Sequence, residues 1–360
     1  MFLENKTLLN YEEYMINKFP NAIMKENNFL VFSSFEDELD ALKNGVGLRI
    51  TPDPTIIRFV GKESLDFLHR ISTNSVKDLT PFSKKRTLFL NEKGRIIART
   101  TLLSFDGEYW LLSDPDSNRK LFSWVNRYII NEDIKTDDYS SKYSLLELVG
   151  PQADSFLMLL IGDEHKKFEY DQFRRFDVDG FTFYMLQDTE NHSTRFYKIV
   201  IDKNRLTDLV DHLYNIKSVF DLSCIGNDAY NHFRIEKGIA AYPNEINTEV
   251  NPHEVNLLRD VCSTKGCYIG QEVVARLETY DKVQNRLYKI SLGEKIDSAD
   301  HKIFNSNGDE IGVITTVCSS ANDLKALAII KKKLIDSANG KYIIGDGKRI
   351  PIKISEPEIS

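Results

Sequence analysis

One stretch of eight residues concentrates the side chains of this sequence that could do chemistry. It reads Lys265-Gly266-Cys267-Tyr268-Ile269-Gly270-Gln271-Glu272, and we call it the octet. A neighbouring ammonium favours a thiolate over a thiol, which makes a cysteine nucleophilic or able to bind a metal. Cys267 and Lys265 are therefore the candidate catalytic residues. The alternative is a packing role, because a single cysteine beside glycine is more often a small packed residue.

The residues that follow the octet predict the element that positions it. The apolar stripe of a helix is formed by Val273, Val274 and Leu277. Gly270 stands at the N-cap position of that helix. Cys267 is then expected in a loop just before the helix start, near the positive end of the helix dipole.

A pattern that occurs twice upstream of the octet predicts the fold. A strand ends at a glycine and is followed six residues later by a helical phenylalanine, in Ile56–Val60, Gly61 and Phe67 and again in Leu145–Val149, Gly150 and Phe156. In both copies three further strands and a helix follow. The sequence therefore predicts an α+β fold with a duplicated β-α-β-β-β-α module, each sheet covered by helices on one face. The first module spans residues 51–142 and the second spans residues 143–225.

Three further segments flank these modules. Residues 1–50 are a lead-in segment that we expect to pack on the first module. Residues 226–284 carry the octet and are expected to return to the first module. Residues 285–360 contain short strand patterns separated by Gly, Asn and Asp, which predicts a small antiparallel β-barrel.

Composition and charge argue against several function classes. The chain of 360 residues is 41% hydrophobic, enough for a packed core, and its formal net charge is −7. A negative charge argues against a protein that binds nucleic acid through its phosphates. No apolar run is long enough to span a membrane and no targeting signal is evident, so we expect a cytoplasmic protein. Four scattered cysteines, with no histidine pair at metal spacing, predict reduced thiols and no metal site.

Three segments carry a resemblance to a known family. They are the octet, Arg234-Ile235-Glu236-Lys237-Gly238 and Asn251-Pro252-His253-Glu254. The octet resembles, residue for residue, the signature of the YgfZ folate-binding family, which is related to the glycine cleavage T-protein. The resemblance implies three parts around a central cleft, with tetrahydrofolate or a derivative as cofactor. It also implies an accessory protein whose partners are iron–sulfur client or assembly proteins and which, through them, supports tRNA modification.

The resemblance also implies which residues bind the folate. The candidates are Arg234, Glu236, Tyr268, Gly270, Gln271, Glu272 and Arg276. The Gln271 amide can both donate and accept hydrogen bonds, which suits the edge of a pterin, but it could equally cap its own helix. Arg276 could balance the glutamate tail of a folate, or pair with Glu272 four residues earlier. The Asn251–Glu254 segment is expected to be a rigid loop that positions the octet.

One residue and one segment differ from the T-protein, and these differences bear on the choice between two functions. Arg99 stands where that enzyme has an aspartate tied to catalysis, and the Ser193–Lys198 segment lacks the carboxylates of the enzyme's second pattern. A guanidinium cannot accept a proton. We therefore expect a folate-binding accessory protein and not an aminomethyltransferase. The alternative is an aminomethyltransferase-like enzyme that transfers one-carbon units in the same cleft.

Overall fold

Two compact units make up the chain. The computed structural model describes residues 10–26, 28–116, 119–167, 169–191, 194–279, 283–292, 299–319, 324–335, 340–345 and 348–357. One unit consists of Met1–Ile56 and Asp138–Tyr230, and we call it the lead-in unit. The other consists of Ile57–Asp137 and Asn231–Ser360, and we call it the octet unit because it contains the octet.

Helices and strands alternate along most of the chain. The first part contains α1 (Tyr11–Lys18), β1 (Ile23–Lys25), β2 (Asn28–Val31), α2 (Phe35–Asn44), β3 (Val46–Thr51), β4 (Thr55–Val60), α3 (Ser64–Ile71), β5 (Lys84–Leu90), β6 (Ile96–Ser104), β7 (Glu108–Ser113), α4 (Lys120–Arg127) and β8 (Lys135–Asp138). The middle part contains β9 (Tyr143–Val149), α5 (Ala153–Ile161), β10 (Phe173–Val178), β11 (Phe181–Asn191), β12 (Thr194–Asp202), α6 (Leu206–Ile216), β13 (Leu222–Cys224) and α7 (Asn227–Lys237). The last part contains α8 (Gln271–Thr279), β14 (Asn285–Leu292), β15 (Ala299–Phe304), β16 (Glu310–Ser319), β17 (Leu324–Lys331), α9 (Lys332–Ile335), β18 (Tyr342–Gly345) and β19 (Lys348–Ser355). The mixed α+β class that the sequence predicts is confirmed.

The lead-in unit is built on a six-stranded sheet. Its strand order is β10-β11-β12-β9-β3-β13, and its described neighbours are antiparallel except for the parallel β3–β13 pair. The helices α5 and α6 contribute Leu157, Leu160, Leu209 and Leu213 to one buried core. Because apolar residues recur at helical spacing in both segments, each forms a helix with one face against the sheet.

The lead-in segment lies in this unit. β3 pairs with β9 along Gly47–Thr51, and Met15, Phe29 and Phe32 are buried in the same core. We expected residues 1–50 to pack on the module of residues 51–142, but they extend the sheet of residues 143–225. The physical reason is that β9 offers backbone donors and acceptors to β3, which had no predicted strand character.

The octet unit contains a five-stranded sheet with the order β5-β6-β7-β4-β8. Its core joins Phe67 and Leu68 of α3 to Trp124 of α4 and to Phe59 and Leu111 of the sheet. The order β5-β6-β7-β4 is the same as the order β10-β11-β12-β9 in the lead-in unit. That the two sheets are copies of one module stays a prediction.

The helix α4 is shorter than the sequence predicts. The sequence favours an N-cap at Asp116 or Ser117 and a helix that runs to about Ile130, whereas α4 covers Lys120–Arg127. Arg119 has a left-handed backbone with a φ of 52°, which cannot continue a helix upstream. Asp116 still accepts a hydrogen bond from the backbone N–H of Leu121 at 2.9 Å, while Ser117 lies outside the described residues.

The predicted antiparallel barrel is confirmed. Its six strands close in the order β14-β17-β16-β15-β18-β19. The interior is filled by alternating strand residues that include Ile290, Leu292, Ala326 and Ala328. Small and branched residues at these inward positions fit the narrow interior of a six-stranded barrel.

Three features bear on membrane, metal and disulfide chemistry. In the described part of the chain, no helix is both long and apolar enough to cross a bilayer. The same residues contain no group of three or more His, Cys, Asp and Glu side chains that could hold a metal ion. All four cysteines carry free thiols.

Candidate functional site

The octet forms a loop that ends where α8 begins, at Gln271, as the sequence predicts. Gly270 has a φ of +82°, and a Cβ added there would lie 2.6 Å from the carbonyl oxygen of Asn91. Asn91 opens the turn between β5 and β6, which ends at Gly94. A Cβ at Gly94 would in turn lie 3.1 Å from Cβ of Val273. The start of α8 is therefore held against this turn at a distance that excludes side chains.

We expect Gly270→Ala to lower the free energy of unfolding by about 2–4 kcal/mol, because the new Cβ meets backbone and the φ is left-handed. Gly107→Ala is the matched control. Its φ is +84°, but a Cβ there has no atom within 4 Å, so only the backbone term of about 1–2 kcal/mol applies. Urea titration of both variants measures the difference. Equal losses would show that the close approach at Gly270 contributes nothing.

Lys265 anchors the octet loop to the end of α3. Its half-buried Nζ donates to the carbonyl oxygens of His69, Ser72 at 2.6 Å and Asn74 at 3.0 Å. Burial lowers the pKa of Lys265 to about 8. We predicted Lys265 as a catalytic partner of Cys267, whereas the structure directs its ammonium to backbone carbonyls, since a helix C-terminus presents unpaired acceptors. Its role next to Cys267 stays a prediction.

The two thiols of this region have different surroundings. Cys267 is exposed, as the sequence predicts. Cys262 is partly exposed, and a hydrogen bond from the Thr264 hydroxyl together with nearby backbone N–H groups lowers its pKa. The other thiols, Cys224 and Cys318, are buried. A polarised thiol environment is therefore found at Cys262, which no sequence pattern singles out, and the catalytic role of Cys267 stays a prediction.

The remaining candidates lie just before α8 and in its first two turns. Tyr268 is half-buried, and burial raises the pKa of its phenol to about 12. The side-chain amide of Gln271 donates to the backbone carbonyl of Lys265 at 3.4 Å. Glu272 and Arg276 are exposed, and neither forms an ion pair with a residue that the structure describes. The ion pair that we considered between them does not form.

The Asn251–Glu254 segment joins several elements of the octet unit. The ring Nε2 of His253 lies 3.0 Å from the carbonyl oxygen of Val274 in α8. The carboxylate of Glu254 accepts from Arg95 at 2.8 Å and from Asn285 of β14 at 3.1 Å. These bonds connect the turn before β6, α8 and the barrel through one short loop. The arrangement is consistent with the expected positioning role of the segment.

Arg234 and Glu236 have structural partners in the octet unit. The guanidinium of Arg234 is 2% exposed and donates to Glu245 at 2.8 Å and to Thr316 of β16 at 2.8 Å. Glu236 forms an ion pair of 2.5 Å with Lys325 of β17. We predicted both as folate-binding residues, and that assignment stays a prediction. A folate contact at the buried guanidinium of Arg234 would compete with its bonds to Glu245 and Thr316, a burial that spacing along α7 does not reveal.

A buried charge cluster that the sequence did not predict lies at the 3₁₀ turn 258–260. The carboxylate of Asp260 is 2% exposed and lies 2.7 Å from Nε of Arg99 and 3.5 Å from Nε of Arg86. The backbone carbonyl of Asp260 accepts from the Thr73 hydroxyl at 2.7 Å. Arg99 and Asp260 are 161 residues apart, so no local pattern could have joined them.

In the lead-in unit, Lys198 is also paired with acids. Its Nζ lies 3.1 Å from Asp188 and 3.6 Å from Glu147, and Glu147 in turn accepts from Arg49 at 2.6 Å. The charges of these four side chains alternate in sign across the four neighbouring strands β11, β12, β9 and β3. Arg195 and Thr194 lie in β12, but their side chains are not described, and Ser193 lies outside the described residues.

Comparison with known proteins gives the family. A family model described as the GCVT N-terminal domain matches residues 10–265. The chain belongs to this family. The aminomethyltransferase of Staphylococcus carnosus is 22% identical over 306 residues, which cover 84% of this chain and 83% of that protein. A putative chloroplastic transferase of Arabidopsis thaliana is 23% identical over 342 residues, covering 89% of this chain and 74% of the relative.

A solved structure has the same fold over nearly the whole chain. The glycine cleavage system aminomethyltransferase T of Bartonella henselae superposes with a TM-score of 0.79. The likeness covers 97% of each chain, with 16% sequence identity. At that identity the comparison establishes the fold. The GCVT match ends at Lys265, so most of the octet lies beyond it.

Proposed function

We propose that this GCVT-family protein binds tetrahydrofolate or a derivative and acts as an accessory protein of the YgfZ type for iron–sulfur proteins. Family membership supports a folate cofactor, because related aminomethyltransferases use tetrahydrofolate. The octet supports the finer assignment through its resemblance to the YgfZ signature. The exposed thiol of Cys267 would be the group that reaches a partner protein.

The residues at the start of α8 fit a folate better than the other candidates. Tyr268 keeps its phenol proton because its pKa is raised, so it can donate a hydrogen bond. The Gln271 amide makes one long bond of 3.4 Å and retains further capacity to donate and accept. Arg276 is exposed and could meet the glutamate tail. A bound tetrahydrofolate would supply nitrogens that carry a one-carbon group.

The Arg99–Asp260 ion pair is the observation that carries the choice of an accessory role. By the resemblance, Arg99 occupies the position of the acid that the transfer reaction needs. The guanidinium cannot act as a base, and its charge is compensated by the buried carboxylate of Asp260. Asp260 itself is 2% exposed between two arginines, so it does not replace the missing acid at a surface. Lys198 shows the same change in the segment that resembles the second pattern of the T-protein. There too a cation, paired with an acid, stands in place of a carboxylate.

Aminomethyl transfer is the second candidate function. Two features favour it: the match to the Staphylococcus carnosus aminomethyltransferase covers 84% of the chain, and the Bartonella henselae enzyme has the same fold. This function would need a proton acceptor at another position, because Arg99 cannot accept a proton.

The experiment that separates the two functions uses the full chain. We expect 5-formyltetrahydrofolate to bind in a calorimetric titration, and we expect no tetrahydrofolate-dependent release of ammonia from an aminomethylated lipoyl carrier protein. In cells that lack the protein, the chain should restore the activity of iron–sulfur enzymes. Transfer above the protein-free rate would support the second candidate, and absence of binding at millimolar folate would remove both.

Arg276→Ala should weaken the binding of a folate with several glutamates by about two- to fivefold, because an exposed ion pair contributes about 0.5–1 kcal/mol. The monoglutamate form should lose less, since it presents fewer carboxylates. Arg175→Ala, at an exposed arginine of β10 that pairs with Asp177, is the charge-matched control. The same calorimetric titration measures all three proteins. Equal losses for both variants would show that Arg276 has no specific contact with the tail.

A further inference from the structure

The loop that carries the octet contains a second thiol whose surroundings suit an attacking thiolate. The sulfur of Cys262 lies 3.4 Å from the hydroxyl of Thr264. The Thr264 hydroxyl is the main cause of a lowered pKa at Cys262, burial acts in the opposite direction, and the nearby backbone N–H groups of Thr264, Lys265 and Ser75 lower it further. The backbone N–H of Cys262 donates to the carbonyl oxygen of Thr73 at 3.1 Å, which fixes its position. Such a set of donors stabilises negative charge on sulfur.

Cys267 is the complementary thiol of the same loop. It is exposed, whereas Cys262 is partly covered. Gly266 precedes it, and a Cβ at that glycine would meet no atom within 4 Å. Three backbone carbonyls hold the side chain of Lys265 at the end of α3. Backbone rotation at Gly266 is therefore what allows Cys267 to move. Because Cys224 and Cys318 are buried, thiol chemistry with a dissolved reagent is confined to these two residues.

We propose that Cys262 and Cys267 are a thiol–disulfide exchange pair whose co-reactant is a small-molecule disulfide. In the first step the Cys267 thiolate attacks the disulfide R–S–S–R, forms a mixed disulfide and releases RS⁻. In the second step the Cys262 thiolate attacks the sulfur of Cys267, closes a Cys262–Cys267 disulfide and releases a second RS⁻. Two protein thiolates are oxidised and one small disulfide is reduced to two thiolates, so electrons and atoms balance.

The exposure of Cys267 and the hydrogen-bond donors around Cys262 decide which thiol takes which step. An exposed sulfur meets a dissolved disulfide first, which selects Cys267. The second step needs a thiolate at Cys262, and the Thr264 hydroxyl, 3.4 Å from that sulfur, favours this form. The pair acts independently of folate, so its test does not depend on the proposed function.

The test uses the reduced full chain and 5,5′-dithiobis(2-nitrobenzoate) as the small disulfide. We expect rapid release of two thiolate products per chain, no retained adduct, and a Cys262–Cys267 linkage in peptide mass mapping. Cys262→Ser should release one product rapidly and retain the adduct on Cys267, with a lifetime at least about tenfold longer than in the parent chain. Cys318→Ser, at a buried thiol, should behave like the parent.

A second variant keeps both thiols. Thr264→Val removes the hydroxyl donor and should slow loss of the adduct by roughly threefold, because less of Cys262 is then thiolate. Ser263→Ala, one residue away in the same turn, is the control and should close at the parent rate. A persistent adduct on Cys267 of the parent chain would overturn the proposal, as would equally fast adduct loss in Cys262→Ser. An unchanged closure rate in Thr264→Val would overturn the assigned role of the donors.

Discussion

Replacing Asp260 with asparagine should lower the free energy of unfolding by about 3–5 kcal/mol, the cost of breaking a buried ion pair from one side. The carboxylate of Asp260 is 2% exposed and faces both Arg99 and Arg86, whose side chains are 10% and 8% exposed. An amide has nearly the same shape but no charge, so two buried guanidinium groups would lose the counter-charge that they share. Urea titration of the full chain measures the loss.

The control for Asp260→Asn is the same exchange at an exposed ion pair. Asp208 lies 3.2 Å from Arg205, and both side chains are 46% exposed. Asp208→Asn should cost less than about 1 kcal/mol, because solvent screens such a pair. If Asp260→Asn costs as little as Asp208→Asn, the cluster is not a stabilising element. In that case Asp260 does not compensate the charge of Arg99 either.

Arg234→Met should also destabilise the chain by about 3–5 kcal/mol. Methionine fills a similar volume but leaves Glu245, which is fully buried, without the guanidinium that lies 2.8 Å away. The loss of the hydrogen bond to Thr316 adds to this effect, since it ties α7 to the barrel strand β16. Thermal and urea unfolding of the purified variant measure the change.

The double variant Arg234→Met/Glu245→Gln tests the cause of that loss. Removing the buried charge of Glu245 should recover part of the stability, because the penalty comes mainly from an uncompensated carboxylate. The folate affinity of any folded variant tests whether Arg234 binds folate. Tenfold weaker folate binding in a variant with unchanged stability would show that Arg234 binds folate directly, in spite of its buried partners.

The sequence by itself determined the elements whose signals are local. The glycine and apolar stripe after the octet predict α8 and its start at Gln271, because capping and helical spacing depend on residues within one or two turns. The same reasoning predicts the helix that carries Phe67 and the short strands of the barrel, since alternation over a few residues sets the buried face of a strand. The octet itself was selected from residue types alone.

Only the tertiary structure decided which groups meet across the chain. No spacing could show that Lys265 binds the carbonyls at the end of α3, or that Arg99 meets Asp260 161 residues away. For the same reason the sequence did not reveal that Arg234 is buried against the barrel, and it placed the lead-in segment on the other sheet. Local sequence restricts backbone angles and apolar periodicity, but a polar side chain takes whichever donor or acceptor the packing of distant segments brings within reach.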